Sequence, residues 1–590
     1  MCGIFAYIGN NRNATEAVFE GLKRLDYRGY DSWGISILNK SRIQTQKNVG
    51  VVNKKLLILP KSEIAIGHTR WATTGGVTIE NAHPHMASDK SFALAQNGIV
   101  ENYTKIKKWL LNKKYRFASE TDTEVIVHLI EEHFKNEDNF LSAVLKAFKK
   151  CEGRNTIIIL TRGGDVIGVR NGSPLVVGVS NKKGDVYFSS DTLSFAPYVD
   201  KTITLDNGQV AIYSKNKLVI RNIKNGKIVR LNMDKNTIKE DVISKDGYKH
   251  FMIKEISEQP EVIRKVIMQN EKSMNKLTDK IRNSENVYII GSGTAGTAAF
   301  QTAYYLRTLG NINAIGLIGA EAKDYFHLFK KNDLLIALSQ SGETADVLDV
   351  IEHAKEKRVT IASYVNMQGS LITKLSDFKF LANAGPEICV MSTKVLVSQL
   401  SWGYLLAKTL QGRYKEAVSN LQKLSINAEK LIKDRNSNSN INKIAKELFG
   451  SRDIFLLAKG QNLQIIREGM IKIVEAGYIH AHAIPAGDLK HYAITLMEKG
   501  VKVISVISDD ENRTDTLNAI NEIKARGATI IGVSPFKDNV FDKLIKVPDM
   551  GEVSAILNIM PIQILAYKIA ILKGNNIDKP RNIAKSVTVK

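Results

Sequence analysis

From residue 251 onward, short apolar runs rich in β-branched residues alternate with longer stretches of helical periodicity. These runs occupy residues 287–290, 334–338, 359–365, 454–458, 501–507 and 528–533. Such alternation predicts parallel strands that are buried on both faces and joined by helices, as in a doubly wound α/β sheet. So many strands exceed one small sheet, and we predict two α/β lobes separated by the polar break at 433–442.

The first 235 residues have a different texture, in which β-type runs are punctuated by glycine-containing turns. Runs at 156–160, 175–179 and 209–213 predict strands, and 123–134 predicts a helix. We therefore predict an α+β domain with a large sheet, followed by the two α/β domains. The predicted boundaries are 1–235 for the first domain, 236–250 for a linker, 251–432 and 433–575 for the α/β domains, and 576–590 for a C-terminal tail.

The composition narrows the class of protein. The chain has 590 residues, of which 44% are hydrophobic and 24% charged, as in a multidomain globular protein. Three cysteines cannot form a disulfide framework, and the first residues do not resemble a signal peptide, so we expect a cytoplasmic protein. The net charge of +23 is spread along the whole chain, so we expect no nucleic-acid partner.

The most apolar stretch, residues 553–572, is as long as a membrane span. It contains Asn558, Pro561, Gln563 and Lys568, which are costly in lipid and ordinary in a buried helix. We predict a core helix and no membrane partner.

Cys2 would become the N-terminal residue if Met1 were removed, which the small side chain of Cys2 permits. The thiol would then stand beside an α-amine whose pKa is near 8, so that much of the amine is neutral and can act as a base. A nucleophile activated by its own terminal amine is one way to catalyse acyl transfer.

Several polar clusters follow Cys2 along the chain. They are Arg28 within 27–32, Arg70 within 66–75, His83 within 81–85, Asn97 and Gly98 within 96–98, and Asp122 within 119–124. An amide side chain beside a flexible backbone N–H suits an oxyanion hole, and the carboxylates of 119–124 suit an amine.

In this order, the clusters resemble the class II glutamine amidotransferase domain, which is an N-terminal-nucleophile hydrolase. The resemblance implies that Cys2 attacks the glutamine amide and releases ammonia, with Asn97 and Gly98 as the oxyanion hole. It also implies a glutamine pocket, formed by Arg70 at the carboxylate, Asp122 at the amino group, and Arg28, Thr73 and His83 in support. The family often has His where this chain has Thr74 and Gln96.

Two turns in the C-terminal part suggest a phosphate or nucleotide ligand. Residues 291–296 match G-x-G-x-x-G after a strand, with Glu321 after the next strand, which leaves dinucleotide binding as an alternative. The following turn places the hydroxyls of Ser339, Ser341 and Thr344 at a helix N-terminus, where free N–H groups favour phosphate. An ordinary helix cap needs only one hydroxyl.

A metal site receives less support. Glu475 with His480, His482 and His491 would supply suitable ligand types for zinc. Histidines two residues apart do not share one helix face, so we expect no metal, and we expect no other cofactor.

These turns, the segment 468–482, the Leu-Lys-His of 489–491 and the final Pro-Arg-Asn-Ile-Ala-Lys-Ser-Val-Thr-Val resemble the isomerizing glutamine–fructose-6-phosphate aminotransferase family. The C-terminal half of that family is a tandem pair of sugar-isomerase (SIS) domains. With the amidotransferase motifs, the resemblance covers essentially the full chain. It implies transfer of the glutamine amide nitrogen to fructose 6-phosphate and isomerisation to glucosamine 6-phosphate.

The resemblance implies a role for each matched residue. The sugar-phosphate pocket would comprise Thr294, Ser339, Gln340, Ser341, Thr344 and Ser392. His491 would open the sugar ring, Lys585 would form a Schiff base, and Glu475 would move a proton between C1 and C2 with Lys472 nearby. The ammonia passage would be lined by Trp71, Ala584 and Val587.

The family resemblance further implies a homodimer, in which His491 could serve the neighbouring subunit's site. The chain departs from the family pattern where Ala295 replaces a usual Ser, Tyr492-Ala493 replaces Gly-Pro, Lys459 replaces Arg and Lys590 replaces Glu. Two alternatives remain beside the dinucleotide-dependent oxidoreductase. One is glutamine-dependent amination of a different sugar phosphate, and the other is a non-catalytic SIS sensor of sugar phosphates.

Overall fold

The computed structural model describes residues 2–180, 184–231, 233–236 and 244–587. The chain divides into two compact units. Unit 1 comprises Met1–Val242 with Ala584–Lys590, and unit 2 comprises Ile243–Ile583. The C-terminal tail from Ala584 therefore belongs to the same unit as Cys2.

Unit 1 is built mainly from antiparallel strands. Its strands are β1 Gly3–Ile8, β2 Ser32–Asn39, β3 Arg42–Val49, β4 Ile64–Arg70, β5 His85–Met86, β6 Phe92–Gly98, β7 Asn155–Thr161, β8 Val166–Asn171, β9 Val176–Val179, β10 Val186–Ser189, β11 Lys201–Thr204, β12 Gln209–Ser214, β13 Lys217–Asn222 and β14 Asp234–Lys235. Its helices are α1 Ala14–Leu25, α2 Tyr103–Asn112, α3 Asp122–Phe134 and α4 Phe140–Lys150.

These strands form two sheets, where the sequence predicted one large sheet. In the described residues, the strand orders are β14-β11-β9-β10-β1-β4-β2-β3 and β13-β12-β8-β7-β6-β5. The reason lies in the alternation of β1, whose side chains are apolar on both faces. Ile4, Ala6 and Ile8 pack in the cluster that includes the second sheet, whereas Phe5 and Tyr7 pack in the cluster that includes α1. The helices α2, α3 and α4 cover the other face of the second sheet, giving four layers.

Unit 2 alternates strands and helices. Its strands are β15 Val287–Gly291, β16 Ala314–Ile318, β17 Leu334–Ser339, β18 Thr360–Val365, β19 Phe378–Leu381, β20 Asp453–Ala458, β21 His480–Pro485, β22 Lys502–Val506, β23 Thr529–Ser534 and β24 Lys543–Lys546. Its helices are α5 Phe251–Ser257, α6 Gln259–Ile267, α7 Glu271–Arg282, α8 Thr294–Thr308, α9 Ala345–Glu356, α10 Leu371–Leu375, α11 Lys394–Leu410, α12 Tyr414–Lys433, α13 Arg435–Leu448, α14 Leu463–Gly477, α15 Arg513–Lys524 and α16 Ser554–Lys573.

The strands of unit 2 form two parallel sheets with the same connectivity. Among the described residues, the orders are β16-β15-β17-β18-β19 in the first sheet and β21-β20-β22-β23-β24 in the second sheet. Every apolar run predicted as a strand is one. One buried cluster joins an inner face of each sheet through α11, α14 and α16, while the outer faces pack in separate clusters with α9 and α15. The central strands β15, β17, β20, β22 and β23 are thus buried on both faces, which explains their continuous apolar character.

The polar break predicted at 433–442 is helical. Helix α12 ends at Lys433, and α13 begins two residues later at Arg435. The side chain of Asp434 accepts hydrogen bonds from the backbone N–H groups of Asn436 and Ser437, at 3.0 and 3.1 Å. This N-cap stabilises a helix whose Asn and Ser content is unfavourable by propensity, and the polar residues mark a junction between helices.

Helix α16 contains the stretch that the sequence predicted to be a core helix, and it is one. Residues Gly551–Lys573 are long and apolar enough to cross a membrane, with a mean hydropathy of 1.8, but 83% of the apolar window is buried within the chain. Its polar residues have partners, since Asn558 Nδ2 donates to Asn462 Oδ1 at 2.9 Å and Gln563 accepts from Gln259 at 2.5 Å.

Candidate active sites

Cys2 immediately precedes β1 in unit 1, and its thiol lies against the backbone of Trp71. The N–H of Trp71 lies 3.4 Å from Sγ, and the Trp71 carbonyl lies 3.6 Å from it. Burial raises the pKa of the Cys2 thiol, while the Trp71 N–H bond and the charge of Arg70 act in the opposite direction. The thiol is therefore protonated at rest, and its use as a nucleophile requires a base.

Asn97 and Gly98 end strand β6 beside Cys2. The Nδ2 of Asn97 donates to the Cys2 carbonyl at 3.1 Å, so the structure brings these two predicted residues together. Gly98 has a φ of +134°, and a Cβ at this position would lie 2.2 Å from the carbonyl of Arg154. Only glycine fits here.

Arg70 ends strand β4 and holds the loop that follows Trp71. Its guanidinium donates to the carbonyls of Thr74 at 2.7 Å, Gly75 at 3.1 Å and Gly76 at 2.9 Å. All three acceptors belong to the main chain. Thr74 in place of the family's usual His therefore leaves these bonds intact.

The loop that follows Trp71 is also held by Glu120, which lies just before α3. Glu120 Oε2 accepts from the N–H of Gly76 at 3.1 Å and from Asn81 Nδ2 at 3.2 Å, while the N–H of Glu120 donates to Asn81 Oδ1 at 2.9 Å. Neither Asn81 nor Glu120 was predicted as a site residue, because reciprocal bonds between distant segments leave no local pattern.

The remaining predicted glutamine-pocket residues differ in their surroundings. Asp122 is the first residue of α3, and its Oδ2 accepts from the N–H of Val100 at 2.7 Å. Burial raises the pKa of Asp122, and this hydrogen bond opposes the rise. Arg28 is buried and forms an ion pair with Asp191 at 3.0 Å, a contact that stabilises the surrounding structure. Thr73, by contrast, is exposed.

His83 and Gln96 belong to a buried network next to Asn97. The N–H of Gln96 lies 3.5 Å from His83 Nδ1, and His83 Nε2 lies 3.1 Å from the hydroxyl of Thr123. Thr123 bonds in turn to Gln96 Oε1, and Gln96 Nε2 donates to Asn155 at 2.6 Å. The side chain of Gln96, which replaces the family's usual His, thus has hydrogen-bond partners for both its oxygen and its nitrogen.

The predicted phosphate turn joins β17 to α9 in unit 2. Ser339 Oγ accepts from the N–H of Gly342 at 2.9 Å and lies 3.2 Å from Thr344 Oγ1. Ser341 Oγ accepts from the N–H of Glu343 at 3.1 Å. The structure therefore gathers the three hydroxyls around the start of α9, with the half-buried Gln340 between them.

Ser392 lies in the loop before α11. Its hydroxyl donates to Glu387 Oε2 at 2.8 Å, and Glu387 Oε1 accepts from the N–H groups of Thr393 and Val395 at 2.9 and 3.1 Å. The buried Glu387 therefore shapes this loop, and the hydroxyl of Ser392 keeps its lone pairs for another donor.

Helix α14 carries a buried charged group on one face. Lys472 is fully buried, with Nζ 2.5 Å from Glu475 and 3.4 Å from Glu468, and Thr294 Oγ1 donates to Glu468 at 3.1 Å. Burial alone would lower the pKa of Lys472, but the two carboxylates raise it above its ordinary value. Burial raises the pKa of Glu468 to about 7 against the opposing charge of Lys472.

Glu468 was missed among the sequence candidates. The signal that could have found it is the spacing of Glu468, Lys472 and Glu475, because residues four and seven apart lie on one helix face. The structure also joins this group to Thr294, which the sequence assigned to the sugar phosphate.

Two further predicted residues are His491 and Lys585. His491 occupies an exposed turn, Leu489–His491, and among the described residues no hydrogen bond connects it to Lys472 or Glu475. Lys585 belongs to unit 1, where it and Ala584 are half-buried and Val587 is 38% exposed. Trp71 lies in the same unit.

The segment before the tail is anchored to the end of α14. The N–H of Arg581 donates to Tyr478 Oη at 2.8 Å, and the guanidinium of Arg581 lies 4.2 Å from the centre of the Tyr478 ring. Tyr478 directly follows α14 in a left-handed conformation with φ of +49°. Within the described residues, no cluster of three or more His, Cys, Asp or Glu side chains could hold a metal ion.

Comparison with known proteins places this arrangement in a family. A glutamine amidotransferase domain model matches residues 43–248, and an SIS domain model matches 280–409 and 447–573. Glutamine–fructose-6-phosphate aminotransferase (isomerizing) from Pyrococcus horikoshii is 37% identical over 603 residues, and the protein of that name from Fusobacterium nucleatum is 37% identical over 621 residues. Both alignments cover 100% of each chain.

A solved structure extends the similarity to unit 2. The C-terminal domain of glucosamine-fructose-6-phosphate aminotransferase from Francisella tularensis is 27% identical, with a TM-score of 0.53, and the match covers 57% of this chain and 100% of that chain. This chain therefore belongs to the isomerizing glutamine–fructose-6-phosphate aminotransferase family, with an N-terminal glutamine amidotransferase domain followed by two SIS domains.

Proposed function

We propose that this protein transfers the amide nitrogen of glutamine to fructose 6-phosphate and isomerises the product to glucosamine 6-phosphate. The observation that carries the proposal is the presence, in one chain, of the Cys2–Asn97 pair and of the buried Glu468–Lys472–Glu475 group joined to Thr294. The first arrangement suits acyl transfer, and the second suits proton transfer beside a sugar phosphate.

In the glutaminase half, the α-amine of Cys2, freed by removal of Met1, takes the thiol proton as Sγ attacks the glutamine amide carbon. The negative oxygen of the tetrahedral intermediate accepts from Asn97 Nδ2 and the N–H of Gly98. The C–N bond then breaks, the nitrogen gains a proton and leaves as ammonia, and water hydrolyses the thioester to glutamate. Arg70 and Asp122 hold the α-carboxylate and α-amino group of glutamine, with Arg28, Thr73 and His83 in support.

In the isomerase half, the residues Thr294, Ser339, Gln340, Ser341, Thr344 and Ser392 hold the sugar phosphate. His491 donates a proton during ring opening, and Lys585 Nζ adds to C2 of the open-chain ketone with loss of water. Ammonia displaces the lysine from this Schiff base. Glu475 then removes a proton from C1 and returns one to C2, while the proton of the C1 hydroxyl passes to the nitrogen, which converts the 2-imine into the 2-amino aldose.

The ammonium group of Lys472 lies 2.5 Å from Glu475 and holds this carboxylate in place for the step. Trp71, Ala584 and Val587 are proposed to line the passage of ammonia, and all three belong to unit 1 together with Cys2. A passage closed to water would keep ammonia neutral and nucleophilic.

The wider setting is also a proposal. We propose a cytoplasmic homodimer that uses no cofactor and binds neither nucleic acid nor a membrane, with the domain boundaries 1–235, 236–250, 251–432, 433–575 and 576–590. Light scattering of the purified protein would test the dimer, and a monomer at enzyme-assay concentrations would contradict it.

The function is tested by incubating the Met1-processed protein with glutamine, with and without fructose 6-phosphate, and measuring glutamate and glucosamine 6-phosphate. We expect equal amounts of the two products. Glutamate without amino sugar, followed by a clear preference for another ketose or aldose phosphate, would replace the proposed substrate. Sugar-phosphate binding without any turnover would instead support the sensor alternative.

A further inference from the structure

His68 is a buried histidine that the proposed mechanism has not used. It lies on β4, opposite Ile4 of β1, and its side chain is inaccessible to solvent. Its Nε2 lies 2.9 Å from the carbonyl of Gln96 and 3.1 Å from Asn97 Oδ1. The imidazole therefore touches the one oxyanion residue that acts through its side chain.

The neighbours of His68 determine its tautomer. The Gln96 carbonyl can only accept a hydrogen bond. Asn97 Oδ1 is also an acceptor, because the Nδ2 of the same amide donates to the Cys2 carbonyl at 3.1 Å. Nε2 of His68 must therefore carry the proton and donate to both oxygens.

The surroundings also keep the ring neutral. His68 stacks on His83 with ring centres 4.3 Å apart, and Arg70 lies nearby on the same strand. Burial is the largest cause that lowers the pKa of His68, to about 3, and the charge of Arg70 adds to it. A neutral imidazole supplies a donor beside the glutamine pocket without adding a second charge there.

We propose that His68 is a positioning residue for the oxyanion hole, which holds the Asn97 amide with Nδ2 directed towards Cys2. The inference rests on the proposed glutaminase function and deepens it. An amide side chain can turn by 180° and exchange its oxygen and nitrogen. The turned amide would direct an acceptor towards Cys2 and the developing negative oxygen, and would leave the Nε2 proton of His68 facing an NH₂ group.

The test compares His68→Gln with His68→Asn, two polar replacements of similar character. The Gln amide can place an N–H where Nε2 stands, whereas the shorter Asn amide reaches only the place of Nδ1. We expect His68→Asn to lower kcat for glutamine hydrolysis by about 10²-fold, the scale of removing one oxyanion donor. His68→Gln should recover most of that loss, and KM for glutamine should change little in both.

A double-mutant cycle with Asn97→Ala then asks whether His68 acts through Asn97. We expect His68→Asn to reduce kcat by about 10²-fold in the wild-type background and to have little further effect once Asn97 is Ala. Alkylation of Cys2 by iodoacetamide, which needs the thiol and not the oxyanion hole, should proceed at the same rate in all variants and serves as the control for an intact unit 1.

Three results would overturn the inference. They are equal kcat values for His68→Asn and His68→Gln, a kcat for His68→Asn close to that of the wild type, or the same fold loss with and without Asn97. Absence of glutamine hydrolysis by the Met1-processed wild-type protein would refute the proposed function instead, so the two failures can be distinguished.

Discussion

The turns that follow β17 and β22 occupy equivalent places in two sheets of the same strand order, but their side chains differ in charge. The first turn gathers the hydroxyls of Ser339, Ser341 and Thr344 at the start of α9. Its carboxylate, Glu343, is buried and accepts from the N–H of Leu371 at 2.9 Å. The first turn therefore suits an anion.

The second turn carries carboxylates where the first carries hydroxyls. Asp509, Asp510 and Glu511 precede α15, and Asp509 and Asp510 bond to Arg513 and Gln461 at 2.8 Å each. The buried Ser508 accepts from Asn462 Nδ2 at 2.9 Å. Equivalent topology thus provides a helix N-terminus in both places, and the carboxylates of the second turn make it the less suitable place for an anion. The second sheet contributes instead the charged group on α14.

The largest expected effect comes from Lys472→Met, which tests the assignment of proton transfer to the second sheet. We expect a loss of amino-sugar formation on the order of 10³-fold, because Glu468 and Glu475 would lose the cation that holds both carboxylates, and proton transfer needs a positioned carboxylate. Glutamate release from the Cys2 half should remain.

The matched control for this variant is Lys408→Met, which removes another buried lysine of unit 2. Lys408 pairs with Glu416 at 2.8 Å and Glu552 at 3.1 Å, outside the site. Lys408→Met should lower the midpoint of thermal unfolding and leave kcat for amino-sugar formation near the wild-type value. The assignment would be contradicted if Lys472→Met formed amino sugar at more than one-tenth of the wild-type rate. A tenfold loss of rate corresponds to an increase of only about 1.4 kcal/mol in the activation free energy.

Ser341→Asp would give the first turn the charge of the second. We expect the KM for fructose 6-phosphate to rise by about 10²-fold or more, since like charges placed together cost several kcal/mol. Ser341→Ala removes only the hydroxyl and should raise KM by about tenfold, the scale of one hydrogen bond to a charged group. Equal effects of Asp and Ala would show that charge does not distinguish the turns.

A pH titration of stability would sharpen the description of α14. The folded-state pKa of Glu468 is raised to about 7 from an ordinary value of 4.5, so the folded protein binds this proton more tightly than the unfolded chain. The contribution of Glu468 to the free energy of unfolding should therefore fall as pH rises from 4.5 to about 7, by on the order of 3 kcal/mol, and stay constant above.

Glu468→Gln lacks this titration. As pH rises through the same window, the free energy of unfolding of Glu468→Gln, measured by urea denaturation, should increase relative to that of the wild type. Parallel pH profiles for the two proteins would show that Glu468 does not titrate there.

The smallest effect is expected for Asp509→Asn in the second turn. Asp509 is exposed, and its pair with Arg513 spans one helical turn, so the free energy of unfolding should fall by only about 0.3–0.5 kcal/mol. The KM for fructose 6-phosphate should be unchanged. A clear change in that KM would mean that the second turn also contacts the sugar phosphate.

The strands of unit 2 were predictable from sequence because buried parallel strands need apolar side chains on both faces, as in the run 334–338. The polar segment 433–442 was predicted as a break between the two lobes, since its composition is that of a loop, but the segment itself is helical. The carboxylate of Asp434 outweighs that composition by capping α13. Likewise, the glycine turn at 291–296 fits several ligands, and only its link from Thr294 to Glu468 ties it to the charged group on α14.

The sequence by itself determined the fold class, the family and the identity of Cys2, Asn97, Ser339 and Lys585 as candidates, because these depend on local periodicity and on motif order. Tertiary structure decided which side chains act on one another. It divided the strands of unit 1 between two sheets, placed His68 behind Asn97 and buried Lys472 between Glu468 and Glu475. Hydrogen-bond direction and pKa depend on neighbours brought from distant parts of the chain and on the exclusion of water, and neither is written in local sequence.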